Sequence, residues 1–158
     1  MKKLNLYSLL GLLVCLFTFS GCSSDDDDGV SSDDIKNNIV GLWETTHISG
    51  YTYDDTEDEK IISVDKDLPL EEKERILFRG DGTYKYYYYL ETLGTWYGGS
   101  YSCKYEVSGN KIILYDSKGD IDGTFSVTSI KGDKAVIEYT LEEGPQYVCH
   151  TSLTKIEE

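Results

Sequence analysis

Residues 76–90 read Ile76-Leu77-Phe78-Arg79-Gly80-Asp81-Gly82-Thr83-Tyr84-Lys85-Tyr86-Tyr87-Tyr88-Tyr89-Leu90. A short apolar run, an Asp-Gly pair and a run of β-favouring residues, in that order, predict strand, tight turn, strand. Side chains alternate along a strand. Tyr84, Tyr86 and Tyr88 therefore share one face with Leu90, and Tyr87 and Tyr89 share the other with Lys85. One face packs a core or lines a pocket, and the other shows aromatics to water.

The same grammar extends in both directions. Upstream, Ile39 to Tyr51 reads as a long first strand with a glycine kink, and Ile61 to Val64 as a short strand. Leu68-Pro69-Leu70-Glu71-Glu72-Lys73-Glu74-Arg75 predicts one or two helical turns, because proline is tolerated at a helix start. Downstream, Gly94 to Val107 is a strand pair or one bent strand broken at Gly98-Gly99. Ser108-Gly109-Asn110-Lys111 and Lys131-Gly132-Asp133-Lys134 are turns that flank further strands. Of these, Gly123 to Ile130 puts Phe125 and Val127 on its apolar side, with Ile130 a third candidate. Gly144-Pro145 precedes a closing strand from Gln146 to Ile156. Turns every 8–12 residues between alternating strands predict an all-β, antiparallel fold. Short up-and-down connections favour a barrel of about eight strands.

Several of these pieces fall in a recognisable order. Gly41-Leu42-Trp43 opens the first strand. Phe78-Arg79-Gly80-Asp81-Gly82-Thr83-Tyr84, Tyr105-Glu106-Val107-Ser108-Gly109-Asn110-Lys111-Ile112 and Ile130 to Glu138 follow. Together, over about residues 39–156, they resemble lipocalin-like lipoproteins. The resemblance implies an up-and-down barrel in which Trp43 closes one end around a pocket. Two features depart from true lipocalins. Lys155 stands in the last strand, where they carry an arginine near the tryptophan, and their Thr-Asp-Tyr motif is missing. The likeness is therefore to the wider lipocalin-like class.

The first 28 residues carry an address. Lys2 and Lys3 precede an apolar run from Leu9 to Phe19, then Ser20-Gly21-Cys22. The run is short for a bilayer, which needs about 20 apolar residues. A basic start, a short apolar centre and a small-residue end describe a signal peptide. Cys22 after Phe-Ser-Gly resembles a lipobox, so residues 1–21 are expected to be cleaved and Cys22 lipidated. Ser23-Ser24-Asp25-Asp26-Asp27-Asp28 repels itself into an extended tether, and it resembles the surface-export signal of Bacteroides-type lipoproteins. The expected organisation is signal peptide 1–21, lipid-anchored acidic tether 22–37 and barrel 38–158. The expected location is the outer membrane, lipid-anchored and exposed at the cell surface.

Composition narrows the partners. The formal charge of −14 includes Lys2 and Lys3, so the mature chain is more acidic still. Nucleic acid, bound through phosphate neutralisation, is excluded as a partner. Cys103 and Cys149 remain beside Cys22. In an oxidising compartment they are candidates for a disulfide contributing about 3–4 kcal/mol on the chain-entropy account. Two buried thiols are the alternative.

Motifs for catalysis are sparse. No Gly-x-Ser-x-Gly, phosphate loop or His-Glu-x-x-His occurs. His47 and His150 lie on the first and last strands, which neighbour one another in a closed barrel, yet further ligands are not obvious. Asp116 to Gly123 and Asp54 to Glu59 read as solvated acidic turns; calcium spacing fails at Lys118. No catalytic residue, metal or cofactor is assigned. Fourteen tyrosines instead suggest recognition. Trp43, Tyr84, Tyr86, Tyr87, Tyr88, Tyr89, Trp96, Tyr97 and Tyr101 are the ligand-binding candidates. The ligand is expected to be a small lipophilic molecule inside the barrel, or a glycan or peptide on the aromatic exterior. A partner subunit of an outer-membrane complex, its protein partner unknown, and a barrel enzyme using His47 or His150 are the rival readings.

Overall fold

A computed structural model of the chain describes residues 29–54, 60–99, 102–140 and 146–157. The signal peptide, Cys22, the Asp25–Asp28 run, residues 55–59 of the acidic loop, Tyr101 and Gly144-Pro145 lie outside the described residues.

Among the described residues, helix α1 (Ser32–Asn38) precedes ten strands. These are β1 (Gly41–Asp54), β2 (Lys60–Asp67), β3 (Glu74–Phe78), β4 (Thr83–Leu90), β5 (Thr95–Gly98), β6 (Cys103–Ser108), β7 (Lys111–Tyr115), β8 (Ile121–Lys131), β9 (Lys134–Thr140) and β10 (Val148–Ile156). The expected helical turns shrink to a single 3-10 turn at Leu70–Glu72. The Asp81-Gly82 hairpin forms as read: Phe78 pairs with Tyr84 and Glu74 with Tyr88. Asp81 Oδ1 accepts from the Thr83 backbone and hydroxyl, which fixes the turn.

Eight strands close an antiparallel barrel in the order β1-β3-β4-β6-β7-β8-β9-β10, and β10 returns to β1 from Leu42↔Ile156 to Gly50↔Cys149. Full closure removes the sheet edges that an open sheet would expose. The remaining strands share edges already in use. β3 pairs with β1 at 41–44, and β2 continues along the same edge at 47–54. β6 pairs with β4 at Thr83 and Tyr84, and β5 takes over at Tyr87–Leu90. β1 and β4 run in the same direction, so β2 and β5 both sit at one end of the barrel, here called the upper end.

Bulges keep the inward face apolar where a strict period of two would lose it. The register shifts between Thr45 and His47, so Trp43, Thr45 and Ile48 all serve the interior. A second shift between Val127 and Ser129 retains Ile130 beside Phe125 and Val127. One inserted residue per bulge is what such re-aiming requires. Gly50, at the kink in β1, has φ +95°, and a side chain there would meet the Val148 carbonyl oxygen. Only glycine fits that crossing.

The lower end is sealed. Trp43, Phe78, Ile112, Val127, Ala135 and Leu153 pack there with Ile35 and Ile39. α1 starts at a Ser31–Asp34 capping box, which satisfies backbone donors at both ends of the pair. Ile35 and Ile39 are fully buried, so ordered packing begins before residue 38, within the stretch expected as tether.

The expected disulfide is corrected: Cys103 and Cys149 are free thiols. Three strands lie between β6 and β10 whichever way the barrel is followed. They are opposite staves of the wall, beyond the ~7 Å Cα separation that a disulfide spans.

Candidate functional site

The upper half of the barrel interior holds a cavity of about 540 Å³. Six of the eight barrel strands contribute through their inward alternation, and β6 and β7 do not. β1 supplies Thr45, Ile48 and Thr52, β3 supplies Glu74 and Ile76, and β4 supplies Tyr86 and Tyr88. Phe125, Ile137, Tyr139 and Thr151 complete the far side, and Leu68 with Glu71, Glu72 and Lys73 forms the rim. The size suits a drug-sized molecule, and the lining is mixed: Ile48, Leu68, Ile76, Phe125 and Ile137 stand among tyrosines, threonines and charged side chains.

The polar groups have defined partners. The Tyr86 hydroxyl donates to Glu74 Oε2. Burial first, and the Glu74 charge second, push the Tyr86 phenol far above its ordinary value, so it stays protonated and keeps donating. Burial leads the causes that raise the Tyr139 phenol, with the neighbouring Cys149 next. Deeper, Tyr84 reaches the Tyr115 carbonyl and Asp122, and burial lifts it to about 12. At the rim, Lys73 pairs with Glu44 and Lys66 with Glu72. Three of the four charged lining residues are carboxylates, so the cavity presents negative potential beside aromatic faces.

The expected site residues divide among three places. Tyr86 and Tyr88 line the cavity, and Tyr97 stacks beside Tyr88 with ring centroids 5.4 Å apart. Trp43 and Tyr84 are buried in the packed interior and do not line it. Trp43 donates from Nε1 to the Ile39 carbonyl at 2.6 Å. Lys155 Nζ lies 4.9 Å from its ring centroid and caps the Asn38 and Val40 carbonyls. Lys155 thus takes the position expected for the arginine of true lipocalins. Tyr87, Tyr89 and Trp96 face outward. With Leu42, Arg75 and Leu77, Tyr87 and Trp96 line a shallow outer groove of about 310 Å³.

Glu71, Glu72 and Glu74 were not singled out in the sequence. Their signal is Glu71-Glu72-Lys73-Glu74 set between two apolar strand segments, a charged rim rather than a surface helix. The histidines stay apart. His47 pairs with Ser152, and His150 with Ser49. His47 contacts Asp67 at 2.9 Å and Asp65 at 3.0 Å, while His150 lies 3.5 Å from Glu138. The Asp67 hydrogen bond leads the causes that raise the His47 pKa. Among the described residues, no group of three or more His, Cys, Asp or Glu could hold a metal ion. Asp116 Oδ1 accepts from the backbone of Lys118 and Asp120, closing its own turn.

No curated protein matches the chain in sequence. Among solved structures, a biogenic amine-binding protein in its selenomethionine derivative is similar at 18% identity with a TM-score of 0.42, covering 83% of this chain and 70% of that one. The lipocalin-like domain matches residues 39–137, the stretch that builds β1 through the middle of β9. The chain belongs to the lipocalin-like domain family.

Proposed function

We propose that the protein is a membrane-anchored, non-catalytic binding lipoprotein that holds one small molecule in the upper half of its barrel. The observation that carries this reading is the cavity itself: about 540 Å³ left open while the lower half of the same barrel is packed solid. Ile48, Leu68, Ile76, Phe125 and Ile137 favour a lipophilic part of the ligand. Glu74 with Tyr86, and the carboxylate rim, favour a head that donates hydrogen bonds or carries positive charge. The other expected ligand class, a glycan, would meet the outer aromatic face instead.

Anchoring rests on the sequence: Cys22 carries the lipid, and the Asp25–Asp28 run directs the barrel to the outer face of the outer membrane. Two or more acyl chains hold a protein stably, where one binds only marginally. Loss of palmitate labelling and of membrane attachment in Cys22→Ala tests the anchor, and protease shaving of intact cells tests the outward face.

Native mass spectrometry tests the ligand. The full chain is exposed to lipid and bile extracts and compared with Ile137→Trp, which fills the cavity. A small mass retained by the wild type and lost from the variant is expected. Bare polypeptide in both would move the function to protein partners.

A further inference from the structure

The barrel exterior is uneven in charge. Arg75 and Arg79 are the two arginines of the chain, and both lie on or next to β3. Lys85 and Lys104 lie on the outward side of β4 and β6, and Lys73, just before β3 at the cavity rim, reaches over to Glu44. The carboxylates that face them are Glu44, shared by Lys73 at 2.9 Å and Arg75 at 2.7 Å, Asp81 beside Arg79, and Glu106 next to Lys104 on β6. Five cations therefore meet three carboxylates on this face of a strongly acidic protein. Within the ~8 Å over which charges act at physiological salt, local cations outweigh the distant acidic surface.

The same face holds two immobilised aromatic rings. A Cβ on Gly98 would lie 2.5 Å from the Tyr87 ring, so the ring rests directly on the β5 backbone. Trp96 is held by the Arg75 guanidinium, 3.8 Å from its centroid, and by an edge contact with Tyr89. Leu42 and Leu77 floor the groove between them. Rigid rings bind at low entropic cost, and their faces accept the C–H face of a sugar ring. A guanidinium and an ammonium beside those rings select a carboxylate.

We propose that this outer groove is a second binding site, for an acidic carbohydrate whose uronate-type carboxylate meets Arg75 and Lys85 while a sugar ring stacks on Tyr87 and Trp96. The site is separate from the cavity and stands whether or not the cavity holds a ligand.

The test titrates the full chain with tetragalacturonate, and with neutral galactotetraose as control, reading tryptophan emission. Trp43 is fully buried, so a ligand in the groove reports through Trp96. Tetragalacturonate is expected to change the emission, more weakly as salt rises, and galactotetraose to bind at least about tenfold less tightly, the loss of a charge-assisted contact. Arg75→Gln, Lys85→Gln and Tyr87→Ser should each weaken tetragalacturonate, while Glu74→Gln leaves it unchanged. Equal binding of the two sugars, binding that survives all three groove substitutions, or no binding would overturn the proposal. So would binding to phosphatidylglycerol vesicles in place of the sugar, which would assign the basic face to a lipid surface.

Discussion

The two ends of the barrel are built from the same strands and the same inward alternation, yet one is full and the other open. At the lower end the inward residues are Trp43, Phe78, Ile112, Val127 and Leu153, and α1 adds Ile35 and Ile39 from outside the barrel. At the upper end they are Tyr86, Tyr88, Tyr139, Thr52 and Glu74. Aliphatic side chains, one phenyl ring and one indole interlock to the density of a protein interior. Tyr86, held at its tip by Glu74, does not collapse across the same gap. The difference shows how one strand pattern gives both a stability core and a binding cavity: side-chain identity at each inward position decides, and the backbone does not.

Trp43→Ala should break the comparison most severely. It removes the largest fully buried side chain and its hydrogen bond to Ile39. A loss of about 3–5 kcal/mol is expected, read from urea unfolding. Lys155→Met comes next, at about 1–3 kcal/mol. It keeps the stem but removes the ammonium from the Asn38 and Val40 carbonyls and from the Trp43 face. A null effect there would mean that the lower seal is apolar packing alone.

At the upper end the expected signs reverse. Glu74→Gln should leave stability within about 1 kcal/mol, since the amide still accepts from Tyr86, and should release the bound small molecule in native mass spectrometry. Unchanged retention would show that the carboxylate plays no part in holding the ligand.

The smallest effect is pH-dependent. His47 bridges Asp65 and Asp67 on β2, and its pKa is raised. The stability it contributes is fully present below its unfolded value of about 6.5 and is lost as pH rises through the raised folded value. Glu44 runs the opposite way. Burial opposes its charge, but the hydrogen bonds from Lys73 and Arg75 prevail and lower its pKa, so its contribution is lost as pH falls into the acid range. His47→Gln should flatten the alkaline side of the stability profile and leave the acid side alone. Urea midpoints across pH check this; the size is small because the pair is solvent-exposed.

Much of the barrel was legible because strand signals are local. The Asp81-Gly82 hairpin and the inward placement of Tyr84, Tyr86 and Tyr88 follow from turn chemistry and the period of two. What escaped depends on position around the closed wall. Cys103 and Cys149 both lie on strands, but sheet order alone puts them on opposite staves. Trp43 and Tyr86 are both inward aromatics, and only their height along the barrel separates seal from cavity. Helix α1 was hidden by its shortness beside an acidic run, although Ser31, Asp34, Ile35 and Ile39 carried its cap and its apolar face. The rim glutamates were read with a helical turn because their role appears only when β2 and β3 share one edge of β1.

The division into a sealed and a binding end is tested most directly by NMR of the protein with and without the small molecule it retains. The account predicts ligand-induced shifts at Tyr86, Tyr139 and Thr151, with the Trp43 indole N–H and Ile112 unmoved. Shifts centred on Trp43 and Ile112, with the upper residues silent, would contradict it.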